Sequence, residues 1–226
     1  MVPAYSYEIV CRELAKAFER RRYRGKIRMV GLLFARPESS LAASEILPHL
    51  EYYHHRSGDH IDFFCAGYGK YWENSRDEFP DQRLVSRVKD ENWLYSSAKF
   101  NAFREEVERM TRWRYSGGSD LLLTNGRYDS DKHIGYLDFS TSVVCQLDQM
   151  KSDGAILKVE TFFEDVFRFA ERFGGDDPTW GFSDRMGVKA AGSAIKRFVL
   201  SLIPKKLGED VARVAHFAVQ DIGTAT

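Results

Sequence analysis

Met29-Val30-Gly31-Leu32-Leu33-Phe34 is an almost unbroken apolar run within a strand-length segment, Ile27 to Ala35. A strand with one face in water alternates polar and apolar residues. A continuous run therefore fits a strand buried on both faces, as in the centre of a parallel or mixed sheet. Such a strand needs elements packed above and below it, and the next residues supply one. Pro37 and Ser39-Ser40 mark a helix start, Leu41, Ile46, Leu47 and Leu50 carry it on, and Pro48 predicts an interruption or bend. Arg56-Ser57-Gly58-Asp59 ends that helix, and Ile61 to Ala66 reads as a second strand. Strand, helix and strand in this order predict a right-handed parallel crossover.

Residues 6–22 predict an N-terminal helix with Ile9, Val10, Leu14, Ala17 and Phe18 on one face and a basic end at Arg20, Arg21 and Arg22. That basic run continues through Arg24, Lys26 and Arg28 and reads as a solvated helix end. Residues 92–113 predict another helix, because Phe100, Phe103, Val107 and Met110 share a face and Gly117-Gly118 stops it. Residues 120–124 and 134–139 flank an Asn125-Gly126 turn signal and predict an antiparallel hairpin. Thr161-Phe-Phe-Glu164 has capping-box spacing and opens an aromatic stripe of Phe162, Val166, Phe169 and Phe173, widened by Phe163 and Phe167. Two further helices are expected at 188–203 and 206–222, separated by Pro204. The expected organisation is an α/β domain over 1–174, including the N-terminal helix, with a C-terminal helical extension over 184–226 packed on it.

Strand, helix, strand, helix, strand, strand, helix over residues 27–173 resembles the order of elements in thioredoxin-like folds. The resemblance implies a mixed sheet built from a parallel β-α-β unit and an antiparallel hairpin. In redox-active members a CxxC opens the helix after the first of these strands. Here Arg36-Pro37-Glu38-Ser39-Ser40 stands in that place, and no cis-proline motif is matched, so the resemblance does not extend to dithiol chemistry.

Bulk properties bound the function further. Lys plus Arg and Asp plus Glu number 33 each, which removes the broad positive field of a non-specific nucleic-acid binder. Cys11, Cys65 and Cys145 are far apart, lie among apolar residues and form no CxxC or zinc spacing, so they predict buried free thiols. With no cleavable signal sequence and no apolar run near about 18 residues, a soluble cytoplasmic protein without a transmembrane segment is expected. The amphipathic stretch Lys196 to Ile203 reads as a buried helix rather than a membrane-surface one.

Two places could carry chemistry. Three of the six histidines and two carboxylates fall between His54 and Asp62. Strand alternation puts His60 and Asp62 on one face, and His54 or Asp59 could approach from the turn to complete a divalent-metal site. The plainer alternative is a polar helix-to-strand turn, since no HExxH or comparable spacing occurs. Open parallel sheets bind ligands beyond the C-terminal ends of their strands, which selects the opposite edge. Arg36, Ser39 and Ser40 follow the first strand, and Gly67-Tyr68-Gly69-Lys70 follows the second. Cationic groups, hydroxyls and close backbone approach could cradle an anion there, although no phosphate-loop or dinucleotide glycine pattern is present.

Tyr71 and Trp72 lie in a long aromatic-rich linker, 69–92, and are candidate partner contacts. Asp129-Ser130-Asp131 lacks the Glu of an EF-hand loop, and no GxSxG elbow or hydrolase triad is recognisable. The leading expectation is a binding or adaptor protein that recognises a protein partner, a second copy of itself or an anionic ligand. The runner-up is a metal-dependent hydrolase or nuclease using His54, His60 and Asp62. No cofactor is indicated by any motif, and whether the chain is an enzyme is left open.

Overall fold

The computed structural model describes residues 1–20, 27–57, 61–70, 79–173, 196, 198–202 and 218–225. In chain order it places β1 (Val2–Ala4), α1 (Tyr7–Arg20), β2 (Ile27–Ala35), α2 (Leu50–Ser57), β3 (Ile61–Ala66), β4 (Tyr68–Gly69), β5 (Arg83–Val88) and β6 (Glu91–Tyr95). These are followed by α3 (Ser97–Met110), β7 (Ser119–Asp129), β8 (Ile134–Gln146), α4 (Leu147–Ser152), α5 (Val159–Phe173) and β9 (Val219–Asp221). The protein is mixed α/β. A six-stranded mixed sheet runs in the order β1-β3-β2-β7-β8-β9, and β4, β6 and β5 form a small second sheet. Among the described residues no helix is long and apolar enough to cross a membrane.

β2 sits inside the sheet, parallel to β3 and antiparallel to β7, with both faces covered, as its apolar run predicts. Val30, Leu32 and Phe34 point to one face. Phe34 there meets Phe100 and Phe103 of α3 and the ring of Trp113, with centroids 5.9, 5.4 and 4.6 Å away. α1 covers the same face, its Leu14 lying beside Val30 above Gly126. On the other face Phe63 of β3 packs against Phe163 and Phe167 of α5, at 5.2 and 5.7 Å, and Tyr53 of α2 meets Phe163 at 5.0 Å. Gly31 is required opposite Phe63, because a Cβ there would stand 2.8 Å from the ring.

The crossover from β2 to β3 is helical but irregular. A π-helical stretch, Ala42–Ile46, passes into a 3₁₀ turn, Leu47–His49, and only then into α2. Pro48 sits in the 3₁₀ turn, where its missing N–H and ring prevent a regular α-helix, so the interruption falls where the sequence puts it.

Several boundaries differ from expectation. Residues 92–95 belong to β6 and not to the following helix. α3 begins at Ser97 because Ser96 caps it, accepting from the Lys99 N–H at 3.1 Å. The linker between β3 and α3 contains a hairpin, β5–β6, turned through Lys89 and Asp90 with φ of 52° and 60°. Asn125-Gly126 is not a turn: β7 continues through it, paired to β2 on one side and β8 on the other. The turn lies beyond, where the Asp129 carboxylate accepts from the Asp131 and Lys132 amides at 3.0 and 3.1 Å.

α5 starts at Val159, whose N–H donates to the Glu45 carboxylate at 2.9 Å, so the Thr161 to Glu164 spacing lies inside the helix rather than at its cap. At the C-terminal end, Val219–Asp221 is a strand paired with β8, in place of the last turn of an expected helix. Of the expected helix at 188–203, residues 198–201 are helical, with Phe198 stacked 4.1 Å from Phe169. Residues 203–217 lie outside the described ones. All three cysteines are free; Cys65 and Cys145 are buried and Cys11 is half-buried.

Candidate functional site

Arg36 is the first residue beyond β2, and the fold builds an enclosure around its guanidinium from distant parts of the chain. Phe100 and Asn101 come from the first turns of α3, and Tyr115 from the loop before β7. The guanidinium carbon lies 5.2 Å from the centre of the Phe100 ring and 5.8 Å from that of Tyr115. Both contacts are in the range of cation–π attraction. Its Nη2 donates to Asn101 Oδ1 at 2.9 Å, and its Nε is enclosed without an acceptor among the described residues. No carboxylate among the described residues lies within ion-pairing distance of it. The arrangement holds a planar cation by contacts with two adjoining rings, whose centres are 5.4 Å apart, and by one neutral hydrogen bond, with no ion pair to it among the described residues.

The surrounding hydroxyls are tied into the same edge. Ser39 Oγ donates to Arg36 O at 3.0 Å and lies 3.4 Å from Ser119 Oγ, the two serines meeting because antiparallel β7 begins where β2 ends. Ser40 is exposed, and its carbonyl accepts from Ser44 Oγ at 2.8 Å. Tyr68 is buried and its hydroxyl donates to Ala35 O at 3.0 Å, so it supports the backbone just before Arg36 rather than facing a ligand. Burial pushes its phenol well above the ordinary value. Lys70 does not join this group. Its Nζ is 2.5 Å from Glu91 Oε2 on β6, and its charge acts on His54 and the Met1 amino group.

Two carboxylates stand behind the site. Asp120 is fully buried and accepts from Trp113 Nε1 at 2.9 Å, Ser116 N at 3.0 Å and Ser116 Oγ at 2.5 Å. Burial raises its carboxyl despite those bonds, and the Asp148 charge adds to the rise. Asp148 accepts from the Ser119 amide at 2.6 Å. Tyr115 is held over Arg36 by its own N–H donating to Glu108 at 2.8 Å and by its hydroxyl donating to Gly118 O at 2.5 Å. Burial pushes the phenols of Tyr115 and Tyr95 up to about 12, opposed in both by the Arg36 guanidinium. The N-terminus of α3 is already occupied by an anion of this chain. Asp81 accepts from Ser96 Oγ at 2.6 Å and from the Ala98 amide at 2.8 Å.

At the opposite edge, His54 Nδ1 meets the Met1 carbonyl oxygen at 2.5 Å. A carbonyl only accepts, so Nδ1 carries the proton in this bond. Burial lowers the His54 pKa. The Asp62 carboxylate is ion-paired to Arg28, a strand neighbour that is itself nearly buried. Among the described residues no three His, Cys, Asp or Glu side chains are placed to share a metal ion. His60, Tyr71 and Trp72 lie outside the described residues.

The sequence pointed to Arg36 and Ser39 through their place after a buried strand, but Asn101, Tyr115, Ser119 and Asp148 were not foreseen. The one signal available for them was topological. An antiparallel strand after α3 must begin at the edge where β2 ends, which brings Tyr115 to Ser119 to that edge. Comparison with protein-family models, curated proteins and solved structures found no match to the chain.

Proposed function

We propose that this protein is a thioredoxin-like domain without dithiol chemistry that works by binding an anionic ligand at Arg36. Support for the fold comes from the strand order β1-β3-β2-β7-β8, with β1, β3 and β2 parallel and β7 reversed. α1 and α3 cover one face, α2 and α5 the other. Arg36 to Ser40 then occupy the position at which redox-active members carry their cysteines.

The observation that carries the binding reading is the guanidinium of Arg36. It lies against the neighbouring rings of Phe100 and Tyr115, is bonded to the Asn101 amide oxygen, and faces no carboxylate among the described residues. Confining a cation in this way costs solvation and side-chain entropy, and an incoming anion recovers both. A ligand that binds only the folded form raises the melting temperature, so the test is thermal unfolding of wild type and Arg36→Lys in a panel of sodium salts at constant ionic strength. The expected result is an anion-specific rise in wild type that the lysine variant loses, because a point charge cannot reproduce the planar fork of donors. An equal response in both proteins, or none in either, overturns the reading.

A further inference from the structure

We propose that Glu38 is a built-in competitor at the Arg36 site: it occupies Arg83, which turns to the anion as a second cation once that contact opens. This rests on the anion-binding reading above and concerns what controls the same site.

Two independent links bring Arg83 to Arg36. One is a platform of rings. Tyr95, Phe100 and Tyr115 adjoin one another, with centres 5.9 Å apart for the first pair and 5.4 Å for the second. The Arg36 guanidinium lies against Phe100 and Tyr115, and that of Arg83 lies 5.5 Å from the centre of the Tyr95 ring. Register holds Arg83 in place. It is paired across the small sheet with Tyr95, and Tyr95 is paired with Tyr68, whose hydroxyl donates to the carbonyl of Ala35, the residue before Arg36.

The other link is the main chain. Glu38 stands two residues beyond Arg36, and its Oε1 is ion-paired to Arg83 Nη2. The loop leaving β2 and the first residue of β5 are thereby closed on each other beside the ring platform. Arg36 is half-buried with its Nε enclosed, which is the closed state of this arrangement. The closure is weak by construction. The Arg83 and Glu38 side chains are 46% and 52% exposed, so water screens their attraction, and an anion held by Arg36 can take the place of Glu38 at small cost. It then gains a second charged fork of donors.

The experiment follows the Nε–Hε resonances of Arg36 and Arg83, each assigned by its loss in the corresponding lysine variant. The whole chain is titrated with sodium sulfate at an ionic strength held constant with sodium chloride. In wild type both resonances are expected to move with one midpoint. Glu38→Gln should lower the Arg36 midpoint by about threefold, a difference of about 0.7 kcal/mol. That gain should vanish when Arg83→Gln is added, because Glu38 then has no guanidinium to release. A gain that survives in the double variant means that Glu38 acts by its charge alone, and overturns the proposal. An unchanged midpoint in Glu38→Gln, or an Arg83 resonance that stays still while that of Arg36 moves, overturns it too, and in each case the anion-binding reading stands. If sulfate moves neither resonance in any of these proteins, both fall.

Discussion

The hydroxyl oxygens of Ser39 and Ser119 lie 3.4 Å apart, although 80 positions separate them in the chain. The approach follows from register: Ala35, the last residue of β2, is paired with Ser119, the first of β7. The loop leaving the parallel unit and the loop entering the antiparallel hairpin are thereby fixed against each other beside Arg36. Replacing both residues, Ser39→Cys with Ser119→Cys, should give a disulfide on mild oxidation. Closing a loop of that length is expected to add about 2–4 kcal/mol against urea unfolding relative to the reduced double variant. Thiols that stay free under oxidant, or an oxidised form less stable than the reduced one, would contradict the juxtaposition.

Asp120 supplies the acceptors that hold the Tyr115 loop. Asp120→Ala strands the Trp113 indole N–H and the Ser116 amide without a partner, and an unsatisfied buried donor costs about 1–3 kcal/mol. Asp120→Asn keeps an oxygen for those two donors, and its amide can donate to Ser116 Oγ. Since burial already disfavours the charged carboxylate, asparagine should be tolerated with less than half the loss seen for alanine. Urea melts of the three proteins, with Trp113 fluorescence reporting the loop, decide it. Equal losses for the two variants would mean that the charge, rather than the hydrogen bonding, holds the loop.

How much of this was legible in the sequence depends on the reach of each signal. β2 and β3 could be read directly because burial on both faces leaves a local mark, a run of apolar residues without alternation. The β5–β6 hairpin could not. Arg83-Leu-Val-Ser-Arg-Val has mixed exposure, and its turn places Lys89 and Asp90 in the left-handed region without the glycine that announces such turns. Asn125-Gly126 gave the opposite error. The glycine is there for space, because a Cβ on Gly126 would meet Val30 at 2.8 Å and Leu14 at 3.1 Å. The site divides in the same way: Arg36 is marked by the end of a buried strand, whereas Asn101 and Tyr115 reach it only through packing of α3 and the registry of β7. Histidine density drew attention to residues 54–62, yet His54 and Asp62 are each engaged by a neighbour, the Met1 carbonyl and Arg28.

Gly135 is where α1 comes down onto the sheet. A Cβ at this position would stand 2.6 Å from both the Ala15 nitrogen and the Cys11 carbonyl oxygen, and these are backbone atoms that cannot swing aside. Gly135→Ala should therefore lift α1 off β8 and cost about 1–3 kcal/mol. The same change at Gly117, where φ is +90° and nothing lies within 4 Å, acts through backbone strain alone and serves as the comparison. Denaturant unfolding that finds Gly135→Ala neutral would mean that α1 does not rest on this strand.

Arg56 and Glu164 join α2 to α5 through a two-pronged contact, Arg56 Nε to Oε1 at 3.0 Å and Nη2 to Oε2 at 2.9 Å, with the Tyr52 hydroxyl donating to Oε1 at 2.8 Å. The Arg56 guanidinium holds the Glu164 carboxyl below its ordinary value of 4.5, opposed by burial and helped to a lesser degree by the Tyr52 hydroxyl. A carboxyl depressed in the folded state adds stability that is fully present above the unfolded pKa and is lost as pH falls through the folded one. Because Arg56 is 44% exposed, solvent screens the pair and its worth is about 0.5 kcal/mol. Glu164→Gln keeps an oxygen for Tyr52 and Arg56 Nε but removes the charge and the acceptor that faces Arg56 Nη2. It should lower unfolding free energy by about that amount near pH 7 and by progressively less as the solution is taken from pH 4.5 downward, because the wild-type carboxylate is then being protonated. Urea titrations of the two proteins across this range measure the difference directly. A gap that widens on acidification would assign the opposite sign to the linkage and rule out the Arg56 pair as its source.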